Sequence, residues 1–241
     1  MTPSGPSLTV ARAGEGAPAL VLHGGGGPAS VAGLVDHLAS TRRVLAPTHP
    51  GWAGTPRHPA ITGIRDLAEA YLDLLEEDGA SGAALVGSSI GGWIAAAMAV
   101  ADDARSRRLP GRPRAVAALV LVAAVGIEVE GEPVFDVRSA PPPATAGAVA
   151  LATWDAILAY ACEPHYMHDP GLRAELARID VPTLLVWGAD DDVCTPGYGR
   201  AYAALIPGST FVQIPGAGHL PHVDRPAETF EALDRFLEPS V

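Results

Sequence analysis

Six apolar runs of strand length, separated by stretches of helical periodicity, constrain this chain more than any other feature. Ala19–Leu22 ends in His23 and four glycines, Arg43–Ala46 in Pro47, and Ala83–Val86 in Gly87. Val116–Val122 is a longer run of the same kind, Thr183–Trp187 ends in Gly188, and Thr210–Ile214 ends in Pro215-Gly216. Each is continuously apolar rather than alternating, as a strand covered on both faces requires. Helical patterns lie between them. Ala29–Ala39 places Val31, Leu34, Val35 and Leu38 on one face, and Ile64–Glu77 does the same with Leu67, Tyr71, Leu74 and Leu75 before Gly79. Ile90–Val100 is apolar all round and predicts a buried helix, and Pro226–Leu237 is a final amphipathic one with Pro in its first turn. The alternation predicts an α/β fold: a mostly parallel central sheet with helices on both faces.

The rhythm breaks between Gly126 and Asp180. No strand pattern appears there, Pro141-Pro142-Pro143 interrupts the segment, and Val149–Tyr160 and Leu172–Ile179 read as helices. Residues 126–180 are therefore expected to form a small helical insertion. Residues 1–125 and 181–241 are expected to form the α/β core.

Three segments carry chemistry. Gly87-Ser88-Ser89-Ile90-Gly91 is a G-x-S-x-G pattern between an apolar strand and an apolar helix. A reversal that tight strains the central residue and needs small neighbours. It also places Ser89 at a helix N-terminus, where free N–H groups meet developing negative charge. The glycine spacing centres on Ser89 rather than Ser88. His23-Gly24-Gly25-Gly26-Gly27 follows a strand, and such a loop can lend an amide to an oxyanion, with the Ile90 N–H as its partner. A phosphate cradle is the competing reading, but the G-x-G-x-x-G spacing and a lysine are both missing. Late in the chain, Asp190-Asp191-Asp192 and then His219 each follow a strand. A serine hydroxyl needs a base, and the base needs a carboxylate to orient it. The order Ser, Asp, His fits this fold, with any of the three aspartates as the acid. His222 reads as a helix-flanking surface residue and an outside alternative to His219.

These segments resemble the α/β-hydrolase superfamily, in its single-domain, cap-bearing serine branch, over about Pro18 to Leu237. Leu85–Gly92 is similar to the nucleophile elbow, Leu184–Asp191 to the acid loop, and Gly216–His222 with Arg225-Pro226 to the histidine segment. The resemblance implies Ser89, Asp191 and His219 as catalytic residues, with Gly25 and Ile90 as oxyanion donors. It implies that Thr48–Thr55, with Trp52, borders the pocket, and that 126–180 is the cap that roofs it. Gly24, Ser88, Trp52, Trp154, Tyr166 and Leu220 are the candidate substrate-binding residues, with Tyr160 and Met167 as further lining. Serine at position 89 excludes the epoxide and halide chemistries that use an Asp nucleophile. The implied activity is cleavage of an ester, thioester or related acyl bond of a small molecule. Carbon–carbon hydrolysis, lyase chemistry, or low-turnover ligand binding stand as alternatives.

Composition narrows the partners. The net charge is −11, and all 16 basic residues are arginine, which argues against nucleic acid or an anionic membrane. Apolar runs such as Ala115–Val125 are too short to span a bilayer. Two cysteines, Cys162 and Cys194, make no disulfide framework, and Met1–Leu8 has no signal-peptide pattern. A cytoplasmic protein, monomer or homodimer, is expected. His165, His168 and Asp169 could ligate a metal, but no second cluster completes a site, so neither metal nor cofactor is expected.

Overall fold

The computed structural model describes residues 8–143 and 145–238. Seven strands form one sheet: β1 (Thr9–Ala13), β2 (Ala17–Leu22), β3 (Arg42–Thr48), β4 (Ala83–Ser88), β5 (Val116–Val122), β6 (Thr183–Gly188) and β7 (Thr210–Ile214). Their order is β1-β3-β2-β4-β5-β6-β7, and every pair is parallel except β1 with β3. The six apolar runs are the six parallel strands. β1 is the strand that periodicity missed, because its sequence TVARA is half exposed at a sheet edge and carries no continuous apolar signal.

Alternate residues of each parallel strand enter separate cores. Leu20, Leu22, Leu85, Leu119, Leu121 and Leu185 pack beneath α2 (Ile64–Glu77) and α3 (Ile90–Arg108). Val21, Val44, Ala84, Val86, Val120 and Val186 pack on the other face, against Leu34 and Leu38 of α1 (Ala32–Ala39) and Leu233 of α8 (Pro226–Leu237). This double coverage is why the runs are continuously apolar.

Some helices differ in extent from their sequence patterns. The first turn before α1, Pro28–Val31, is 3₁₀ rather than α. α3 continues past Val100 to Arg108, because the buried Asp102 carboxylate accepts from the Ala115 and Val116 amides (3.1 and 3.3 Å) and clasps the start of β5. Between β5 and β6, the described residues hold no strand. They hold α4 (Ala148–Ile157), a π turn at Leu158–Cys162, and α5 (Leu172–Glu175) with a 3₁₀ turn at Leu176–Arg178. α6 (Pro196–Ala203) and α7 (Pro221–Asp224) complete the set. No helix among the described residues is long and apolar enough to cross a membrane.

The sheet's order reverses between β2 and β4: β3 lies on one side of β2, and β4 to β7 on the other. In an open α/β sheet that reversal leaves a crevice at the carboxyl ends of the strands. The glycine run after β2 and Ser89 after β4 both sit there.

Candidate active site

Ser89 joins β4 to α3 with φ +55° and ψ −118°, a conformation that costs a non-glycine residue roughly 1–3 kcal/mol. Neighbouring backbone holds it. The Ser89 N–H donates to Val122 O (2.9 Å), and the Ser89 carbonyl accepts from the Gly92 N–H (2.9 Å). The flanking glycines are steric requirements. A Cβ on Gly87 would lie 2.2 Å from Gly91 O, and one on Gly24 would lie 2.8 Å from the Ser89 Cβ.

The structure brings Ser89, His219 and Asp191 together from loops 130 and 28 residues apart in sequence. His219 Nε2 lies 3.0 Å from Ser89 Oγ. His219 Nδ1 lies 3.0 and 3.2 Å from the two Asp191 carboxylate oxygens. Of the three consecutive aspartates, Asp191 is buried and meets the histidine, while Asp190 and Asp192 are exposed. The Val193 and Cys194 amides donate to Asp191 Oδ1 at 2.9 and 3.0 Å, which holds the carboxylate in place. Gly188 lets the two loops cross, since a Cβ there would lie 2.0 Å from Gly218 O. Among the described residues, no hydrogen bond is made by the amide of Gly25 or of Ile90, and Ile90 opens α3, where helix N–H groups lack internal partners.

These groups open on a cavity of about 230 Å³. Its walls are Gly24, Gly25, Ile90 and Leu220, together with Val125, Val134, Phe135, Val137, Ile157 and Met167. Among the described residues, the polar side chains on it are Ser30, Ser89 and His219, and no arginine lines it. Sequence periodicity did not find Phe135, Val137 or Ile157. They are ordinary apolar residues, and only the folding of 126–180 over the strand ends brings them to Ser89.

A model of the Alpha/beta hydrolase family matches residues 19–232. The chain belongs to that family. The meta-cleavage product hydrolase CumD of Pseudomonas fluorescens IP01 superposes with a TM-score of 0.77 at 17% identity, over 95% of this chain and 93% of that one. An esterase of Thermogutta terrifontis gives 0.72 at 23% identity, over 95% and 92%. By sequence, 2-hydroxymuconate semialdehyde hydrolase of Pseudomonas putida is 37% identical over 102 residues, 40% of this chain and 36% of that protein. The chain spans less than a third of the length of the curated relatives matched first.

Five of the expected lining residues lie off the cavity. Ser88 ends β4, and strand alternation turns it into the core, buried and without a partner among the described residues. Trp154 is half-buried on α4, whose Ile157 reaches the cavity instead. Tyr166 lines a separate cavity of about 740 Å³. Its hydroxyl donates to Phe135 O (2.5 Å) and accepts from the Val137 N–H (2.7 Å), so it ties down the strap whose side chains do line the site. Trp52 is fully buried beneath the glycine loop, where its indole N–H donates to Gly25 O at 3.2 Å. Tyr160 stacks on Trp52. His222 is not a surface residue: it is buried, and its Nε2 lies 2.9 Å from Ser30 O. Its neighbours on α7 pack against α1 and α8, which closes it off from solvent. His165 and His168 face each other, but Asp169 is held by Arg65.

Beneath the glycine loop lies a buried histidine pair that the motif reading did not connect. The His49 N–H donates to His23 Nε2 (3.1 Å), so the His23 proton sits on Nδ1 and is donated to Gly24 O (2.8 Å). His49 Nε2 donates to His23 O (2.8 Å), and its Nδ1 accepts from the Tyr71 hydroxyl (2.7 Å). With Trp52 on Gly25, this network braces the loop from below. Burial pushes His23 down from 6.5 to about 4, and His49 well down as well, so both stay neutral. A histidine depressed by folding adds stability that is complete above its unfolded pKa and lost as pH falls toward the folded one. Stability is therefore expected to fall between pH 6.5 and 4, by about 3 kcal/mol from His23 alone. Urea unfolding at stepped pH checks this: His23→Asn should flatten the acid slope, and an unchanged slope would contradict the prediction.

Proposed function

We propose that this hydrolase cleaves esters or thioesters of short, apolar acyl groups through an acyl-enzyme on Ser89. The carrying observation is the Ser89–His219–Asp191 chain of hydrogen bonds opening on a small, apolar cavity. Ser89 Oγ attacks the acyl carbon while His219 Nε2 takes its proton. Asp191 fixes the ring, with the Nδ1 proton directed at its carboxylate, and stabilises the imidazolium that forms. The tetrahedral oxyanion is met by the Gly25 and Ile90 amides. His219 then protonates the leaving group, and the same residues pass a water through the reverse sequence to free the acid.

The wall chemistry favours this over carbon–carbon hydrolysis of a carboxylated substrate. A substrate carboxylate sealed in that cavity would need a cation, and among the described residues no arginine lines it. The volume points to short chains, since pockets for drug-sized ligands run from roughly 300 to 1,000 Å³. Across a panel of p-nitrophenyl esters, kcat/KM is expected to peak at the short acyl chains and to fall about tenfold or more for long ones. A fluorophosphonate should label the chain, with the adduct on the Ser89 peptide by mass spectrometry. Labelling elsewhere, or a preference for carboxylated carbon–carbon substrates, would overturn the reading.

A further inference from the structure

One side chain beside the Asp191–His219 pair plays no part in that mechanism. Cys194 Sγ lies 3.6 Å from Asp191 Oδ2 and 3.7 Å from His219 Nδ1, buried from solvent. Among the described residues, these three form the one group of His, Cys and carboxylate atoms close enough to hold a metal ion.

The geometry points to an inhibitory site for a thiophilic divalent cation of the zinc type, built from Asp191, Cys194 and His219. Zinc bonds to sulfur at about 2.3 Å and to nitrogen or oxygen at about 2.0–2.2 Å, so tetrahedral ligand atoms lie about 3.3–3.6 Å apart. The three separations here are 3.0, 3.6 and 3.7 Å, so the ion needs shifts of a few tenths of an ångström. Thiolate, imidazole and carboxylate together select a borderline-soft ion over magnesium or calcium. Three protein ligands leave a fourth position for water.

The protons balance simply. The cation displaces the Cys194 thiol proton, which leaves to solvent. His219 gives up the proton on Nδ1 and carries one on Nε2 instead, so the ring stays neutral and one proton is released per ion. That exchange turns the atom facing Ser89 from an acceptor into a donor, and Ser89 loses its base. Binding follows from the three ligands alone, while inhibition rests on the triad reading above.

The test therefore has two arms. In the first, Ser89→Ala protein is titrated with cadmium, whose bond to a thiolate gives a charge-transfer band in the near ultraviolet. One equivalent of band is expected. It should survive Cys162→Ala and vanish with Cys194→Ala or with Cys194→Val, which keeps a side chain to fill the core. A band that persists without Cys194, or no band at all, overturns the site whether or not the protein hydrolyses anything. In the second, saturating zinc is expected to cut wild-type ester turnover about tenfold or more, with EDTA restoring it. Cys194→Ala and Cys194→Val, each compared with its own metal-free rate, should lose that sensitivity. Zinc inhibition equal in wild type and both variants overturns the assignment of the inhibitory ion to Cys194.

Discussion

Ser89→Ala is expected to lower kcat on a p-nitrophenyl ester by about 10⁴-fold or more and to abolish fluorophosphonate labelling. The magnitude follows from what the residue supplies. In the proposed mechanism, removing the hydroxyl would leave His219 with no proton to take and remove the covalent step, so that only the proposed oxyanion donors and substrate binding would remain. The fold should be unaffected. Alanine meets the same cost at φ +55° as serine does, and among the described residues the Ser89 side chain makes its hydrogen bond to His219 alone. Equal thermal midpoints with collapsed turnover are the expected pair of results. Turnover near wild type in Ser89→Ala would remove Ser89 from the chemistry.

Gly91→Ala is expected to destabilise the fold by more than about 4 kcal/mol, although alanine improves helix propensity by about 1 kcal/mol. Position 91 lies inside α3, where propensity alone favours the substitution. The added Cβ would lie 2.2 Å from Leu22 O and 2.6 Å from His23 O. Both are backbone atoms, one ending β2 and the other opening the glycine loop, so relief requires α3 to move off the sheet. Steric overlap therefore outweighs propensity, and because the loop that moves carries Gly25, activity should fall with stability. Gly147→Ala is the control: that site is open around its Cβ, and its stability should change by less than about 1 kcal/mol. Urea unfolding of the two variants beside wild type reads both outcomes, and a Gly91→Ala midpoint equal to wild type would show that α3 yields more easily than its packing indicates.

These two positions divide what was legible in sequence from what was not. The parallel strands and the double-sided core were readable because burial on both faces writes itself as continuous apolar runs. Ser89 and His219 were readable because a strand-to-helix reversal and a post-strand loop admit few residue types. The choice among Asp190, Asp191 and Asp192 was not open to the same physics, since adjacent residues of one loop point in different directions and only the fold shows which reaches His219. β1 left no signal because an edge strand is half wet. His222 looked like a surface residue because its burial comes from elements distant in sequence.

Local sequence determined the α/β architecture, the strained serine turn, and the chemical types of the three residues that now stand in hydrogen-bond contact. Those depend on periodicity, backbone sterics and short-range spacing, all of which act within a few residues. The tertiary structure alone decided the rest: which aspartate meets the histidine, the small apolar cavity formed where 126–180 folds over the strand ends, the histidine pair under Gly25, and the thiol beside the Asp–His pair. Those depend on residues far apart in the chain arriving at one point, and nothing in the local pattern of either segment records the meeting.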